Sequence, residues 1–332
     1  MLRLLSVLLL LLALALGSCA IWAQRTLAAP LPLTEPRLID VPPGATLRGV
    51  LAELAARGLV PVPRLVEYLG RLTGVADRMQ AGEYRLEPGL SSRGLLTMLA
   101  EGRVHRRRFV IVEGWRFAEV RAALAAAPRL EHRTAGLDHA GIMAALGRPG
   151  IPAEGRFFPD TYAYVAGDAD LDLLRRALAR MDEVLAEEWR DRLGGLPLED
   201  PEDALVLASL VERESGVPED RRRIAGVFVR RLERGMRLQT DPAVIYGLGA
   251  AFDGNLDRVD LRDPHPWNTY VHRGLPPTPI AMPGRAAIRA ALRPADGDAL
   301  YFVARGDGTS EFSASLEAHN AAVRRYQIED RA

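Results

Sequence analysis

One long apolar run and a series of short periodic ones divide this sequence. From Leu4 to Ala23 the stretch LLSVLLLLLALALGSCAIWA carries no charge. About 20 such residues in a helix span the ~30 Å hydrocarbon core of a bilayer. The pattern predicts a membrane anchor over residues 1–25, and Trp22 suits a membrane interface. Two rival readings share the run: a cleaved signal peptide, or a lipoprotein signal in which LGSC presents Cys19 for acylation. All three carry the rest of the chain out of the cytoplasm. Arg3 and Arg25 flank the run on opposite sides, so flanking charge favours neither orientation strongly. LAAPLPLTEP (27–36) then predicts an extended, Pro-rich spacer, part of a linker over 26–37.

Beyond the linker the apolar positions become periodic. LIDVPPG reads as a short strand and turn, and TLRGVLAELAARG as an amphipathic helix with Thr46 as N-cap and Gly58 closing it. A second helix opens at Pro63, AGEYRLEPG alternates as a strand, and SSRGLLTMLAEG gives another capped helix. Together these predict a small α+β module over 38–105. A connecting α+β region over 106–195 begins with the strand RFVIVEG (108–114) and an Ala-rich helix from Phe117, and ends with a long helix, Leu171 to Leu193. Between them EGRFFPDTYAY (154–164) gathers aromatics beside a glycine and a proline. They serve either a loop lining a sugar site or core packing.

The last segment, 196–332, has the densest patterning. ALVLASLVERESG is apolar nearly all round up to Val211, and a helix from Pro218 to a Gly235 cap carries Ile224, Val227, Phe228 and Leu232 as its buried stripe, arginines outward. Asp241 followed by Pro242 reads as the N-cap and first residue of a short helix. HPWNTYVHRGLPPTPIAMPG (265–284), with five prolines, is a long loop, a length usually kept for function. ALYFVARGDGTSEFS predicts a hairpin with a GDG turn, followed by a helix from Ser315 that contains His319 and Asn320.

Composition narrows the chemistry. All 43 basic residues are arginine and balance 43 acidic ones, so no net field favours nucleic acid. Without lysine there is neither Schiff-base chemistry nor a P-loop. A single cysteine excludes internal disulfides and Cys-based zinc sites, and the six histidines show no H-E-x-x-H spacing. Carboxylates, hydroxyls and amides remain. Within LVERES (210–215), Glu214 shares a helical face with Leu207, Leu210 and Val211, whereas Glu212 lies about 200° round, beside Leu205, Ala208 and Ser209. A carboxyl on the apolar stripe has its pKa raised and can serve as a general acid. The competing reading is a glutamate paired structurally with Arg213 or Arg221.

Taken together, EGRFFPDTYAY, ASLVERES, RLERGMRLQTDPAVIYGLG, NTY, GLPPTPIAMPG and YFVARGDGTSEFSASLEAHN resemble the endolytic murein transglycosylases of the MltG (YceG-like) family over nearly the whole chain. The resemblance implies an α+β fold: an N-terminal transmembrane helix, a small LysM-like module at 38–105 and a mixed α+β catalytic domain at 196–332. It implies a single-pass inner-membrane enzyme with its bulk in the periplasm. The substrate would be peptidoglycan glycan strands, peptidoglycan synthases are candidate partners, and no metal or organic cofactor is needed. The family's catalytic glutamate falls on Glu214, and Gln239, Thr240, Asp241, Tyr246, Asn268, Thr269 and Tyr270 fall on the glycan cleft. Two other functions stay open. One is a muramidase using Glu212 or Asp241 as second carboxylate; the other is a non-catalytic scaffold that binds peptidoglycan.

Overall fold

The computed structural model describes residues 2–329 and divides into two compact units. The smaller comprises the chain up to Arg107 together with Ala163–Asp168; the larger comprises Arg108–Tyr162 and the chain from Ala169 onward. The sheets are small: β1–β2, β3–β4 and β5–β6 are each two-stranded.

In the smaller unit, helix α1 (Leu2–Ala28) contains the uncharged run, its leucines exposed and its length and composition sufficient to cross a bilayer. Strand β1 (Arg37–Val41) pairs antiparallel with β2 (Gly82–Leu86), in register from Arg37 opposite Leu86 to Val41 opposite Gly82. Helices α2 (Leu47–Ala56), α3 (Pro63–Leu72) and α4 (Val75–Arg78) lie between the strands in sequence, and α5 (Ser92–Ala100) follows. Local signals place them. Thr46 Oγ1 accepts from Gly49 N at 3.1 Å and Ser91 Oγ from Gly94 N at 3.1 Å, while Gly58, at φ 72°, takes the left-handed turn that ends α2. Leu51, Leu54, Tyr84, Leu86, Leu95 and Leu99 fill the core.

Two expectations change here. Residues 26–37 do not form a free spacer: Leu27, Leu31 and Leu33 are buried in this core, and Leu31 N donates to Leu90 O at 2.7 Å. Burying a leucine gains roughly 1.5–3 kcal/mol, so the leucines between the prolines dock the segment. The alternation of β2 also breaks at Glu83, which is buried and held by Arg107 at 3.0 and 3.1 Å in a two-pronged pair.

The larger unit contains β3 (Arg107–Val110) from its second residue, α6 (Phe117–Ala126), α7 (His139–Ala145) and the start of β4 (Thr161–Tyr164). It continues with α8 (Asp170–Arg190), α9 (Pro201–Glu214), α10 (Arg221–Glu233), α11 (Asp241–Leu248) and α12 (Arg285–Leu292). The hairpin β5 (Tyr301–Ala304) and β6 (Ser310–Ser313) and helix α13 (Leu316–Val323) complete it. Residues 106–195 and 196–332, expected as a connecting region and a separate domain, share one core from Arg108 on. The aromatics Phe157, Phe158 and Tyr162 are buried, Phe157 stacking on Phe117, so packing is their role.

Helix α9 is the axis of this core. Asp200 caps it, accepting from Glu202 N and Asp203 N, and Pro201 starts it. Every residue from Ala204 to Val211 is buried, because α8, α10, α11 and α12 surround the helix. Its C-terminal end is tied to the hairpin. A Cβ on Gly216 would meet Gly308 O at 2.6 Å, and Asp220 Oδ2 accepts from Ser310 N at 2.7 Å. Only glycine permits that approach, which brings the hairpin to the last turn of α9, where Glu214 sits.

Candidate active site

The two glutamates have different neighbours. Glu212 is the structural one: it accepts from Gly284 N at 2.9 Å and pairs with Arg221 at 3.3 Å, on the side of α9 away from Glu214. The arginine pairing anticipated for one of the two glutamates therefore belongs to Glu212. Burial still pushes its carboxyl up, opposed by Gly284 N–H and Arg221. Glu214 forms no ion pair among the described residues. Its Oε1 accepts from Thr240 Oγ1 at 2.5 Å, and Oε2 takes no hydrogen bond from any described residue. Desolvation pushes the carboxyl up to about 7; the Thr240 bond pulls it down, nearby Asp241 pushes it up, and Arg213 and Arg231 pull it down. Glu214 therefore holds a proton near neutrality and can release it.

The strand-like segment before α11 and the 265–284 loop hold this carboxyl in place. Thr240, expected as part of the cleft wall, is the N-cap residue of α11, and Asp241 is the first helical residue, one position on from the expected cap. Thr240 N donates to Thr269 Oγ1 at 3.0 Å, and Thr269 Oγ1 donates to Thr240 O at 3.3 Å. Gln239 N donates to Thr269 O at 3.1 Å and holds Gln239 at φ 50°, a conformation uncommon outside glycine. Tyr270 OH donates to Asp241 Oδ1 at 2.6 Å. Asn268 is fully buried, its amide donating to Asp260 O and Asp263 O and its oxygen accepting from Tyr270 N. It shapes the loop and has no surface to offer a ligand.

A polar cleft of about 540 Å³ opens over Glu214. Of the expected residues it gathers Glu214, Gln239, Asp241 and Tyr270, with Thr240 and Thr269 buried behind them. Tyr246 is not among its lining residues; its hydroxyl donates to Glu154 Oε2 at 3.3 Å and its ring packs edge-on to Trp267. Six further polar lining residues were not anticipated there: Arg231, Tyr301, Ser310, His319, Asn320 and Gln327. Arg231 corrects the outward placement of the α10 arginines. It sits one heptad after Ile224 on the buried stripe, and its guanidinium donates to Leu300 O and Leu238 O at 2.7 Å each. Two buried carbonyls with no other donor explain a buried cation. The sequence signal existed, in the i, i+7 spacing, but charge masked it.

Among the described residues no group of three or more His, Cys, Asp or Glu side chains could hold a metal ion. The geometry defines a class: an α+β protein with an N-terminal apolar helix and one protonable carboxyl, Oε2 free, in a polar cleft. The chain belongs to the YceG-like family, whose profile matches residues 39–325. It is 30% identical over 305 residues to a Bacillus subtilis protein named endolytic murein transglycosylase, covering 87% of this chain and 84% of the relative. A Streptococcus pneumoniae protein of the same name is 27% identical, covering 86% of this chain and 57% of its own length. The crystal structure of a YceG-like protein from Listeria monocytogenes superposes with a TM-score of 0.57 at 27% identity, over 87% of this chain and 99% of that one.

Proposed function

We propose that this protein is an endolytic peptidoglycan transglycosylase that cuts glycan strands between N-acetylmuramic acid and N-acetylglucosamine without using water. The observation that carries the reading is the division of labour on α9. Glu212 is committed to Arg221 and Gly284, while Glu214, pushed up to about 7, keeps Oε2 free in the cleft. The names of the relatives from B. subtilis and S. pneumoniae support the same chemistry.

In this mechanism protonated Glu214 donates to the glycosidic oxygen as the C1–O bond breaks. Its carboxylate then accepts the proton of the muramyl 6-hydroxyl, whose oxygen bonds to C1 and closes a 1,6-anhydro ring. The proton lost in the first step is regained in the second. One carboxyl suffices because the nucleophile belongs to the substrate. Thr240 orients Glu214, Asp241 places negative charge near the oxocarbenium-like carbon, and Gln239 and Tyr270 contact the sugar. The α1 helix anchors the enzyme in the inner membrane with its bulk in the periplasm, where cutting would limit the length of new strands beside the synthases. In the smaller unit, a strand pair enclosing helices supports a LysM-like, glycan-holding module.

Asp241 favours a second reading, since it lines the cleft and its charge acts on Glu214, as a muramidase's second carboxylate would. Digesting sacculi in oxygen-18 water separates the two. Unlabelled 1,6-anhydro ends are expected. Reducing ends carrying the heavy isotope would make the protein a hydrolase, and no released fragments would make it a binding scaffold.

A further inference from the structure

One wall of the Glu214 cleft plays no part in the bond-breaking chemistry above. It is formed by β5, β6 and α13 and presents Tyr301, His319, Asn320 and, beyond α13, Gln327. Its construction is specific. The His319 ring lies nearly parallel to Tyr301, 22° off with centroids 5.2 Å apart, and the Arg231 guanidinium lies 5.1 Å from the Tyr301 ring centroid. The imidazole is therefore held in a fixed plane. Its Nδ1 is sealed from solvent with no hydrogen-bond partner among the described residues, which leaves Nε2 as the ring nitrogen a ligand can reach. The carboxamide of Asn320 is exposed and takes no hydrogen bond among the described residues. Burial and nearby Arg231 pull the His319 pKa down, favouring the neutral ring.

The wall's chemistry selects its ligand. Arg231 is the cation in this part of the cleft, where its Nε donates to Leu300 O and its Nη1 to Leu238 O. The carboxamides of Asn320 and Gln327 and the His319 imidazole match the acetamido group and hydroxyls of an amino sugar. Building on the reading of this cleft as a glycan site, we infer that the wall is a saccharide subsite. His319 and Asn320 hydrogen-bond an N-acetylhexosamine unit next to the bond that Glu214 breaks, and so set the register of the strand.

The test uses H319F, which keeps a flat ring on Tyr301 and removes both nitrogens, and N320A, which alters an exposed side chain that makes no internal bond among the described residues. Each is assayed for release of fragments from sacculi, and each is combined with E214Q for binding to isolated glycan strands. The expected result is a KM raised about tenfold or more with a smaller change in kcat, and strand binding weakened about tenfold, at unchanged circular dichroism. If wild type cuts sacculi while N320A and a folded H319F match it in KM and in binding, the subsite is overturned and the catalytic reading stands. If wild type releases nothing but E214Q binds strands through His319 and Asn320, the catalytic reading falls and the subsite stands. Should H319F unfold, N320A decides alone: unchanged binding overturns the inference.

Discussion

Glu214 and Glu154 are both pushed up to about 7, and for both the leading cause is loss of water. Their surroundings are otherwise opposite. Glu154 is 8% exposed and has both oxygens occupied, Oε1 by Phe117 N at 2.9 Å and Oε2 by Tyr246 OH at 3.3 Å. Phe117 opens α6, so Glu154 supplies an acceptor to one of the unpaired N–H groups of that helix start while fastening it to α11. Glu214 lines a cleft, with one oxygen on Thr240 and the other taking no hydrogen bond from a described residue. A raised pKa marks burial. Chemistry needs, in addition, a lone pair that no protein group has claimed.

The widest separation is expected in activity. E214Q should lower fragment release about 10³-fold or more, the upper part of the range for general acid–base catalysis, with the fold intact. E154Q should stay within about tenfold of wild type. Fragment release from sacculi measures both, and an inactive E154Q beside an active E214Q would reverse the assignment.

Next in size is a pH dependence of stability. Glu154 binds its proton more tightly folded than unfolded, so its contribution is complete below about 4.5, the unfolded value, and is lost as pH rises through about 7. The full change is about 3 kcal/mol. Wild type should therefore lose stability relative to E154Q between those pH values, as read from denaturant midpoints. A difference independent of pH would mean that Glu154 is not protonated in the folded protein.

E212Q tests the other glutamate of α9. It keeps an acceptor for Gly284 N and loses the charge opposite Arg221, and a broken buried pair costs several kcal/mol. Because Glu113 also lies 3.7 Å from Arg221, about 2 kcal/mol is expected, with catalysis in the folded fraction preserved. The smallest effect belongs to T240V. Thr240 lowers the Glu214 pKa, and in the proposed mechanism Glu214 acts protonated, so removing the hydroxyl should move the high-pH limb of the rate profile upward. A limb that moved down, or did not move, would remove Thr240 from the site.

Local rules carry much of this molecule. The apolar run of α1, the caps at Thr46, Ser91 and Ser315, the hairpin around Gly306 and Gly308, and the face of α9 bearing Glu214 each depend on residues a turn or two apart. Helical and strand periods and capping residues report such short-range geometry directly, which is why these elements were legible.

What the tertiary structure decided lies at longer range. Both glutamates of LVERES sit on a helix that is apolar all round, so no local pattern could assign the arginine to Glu212; that required Gly284, 72 residues on, and the fold of α10 against α9. Asn268 and Thr269 resembled ligand contacts in sequence because polar loop residues look alike whether they bind sugar or carbonyls. Their burial settled that they hold the loop. Arg231 joined Glu214 because two orphan carbonyls from distant segments needed a donor, and Glu154 met Tyr246 across 92 residues. Chain-local energetics choose the elements. Which side chains share a cavity is set by how those elements pack, and that depends on every contact surface at once.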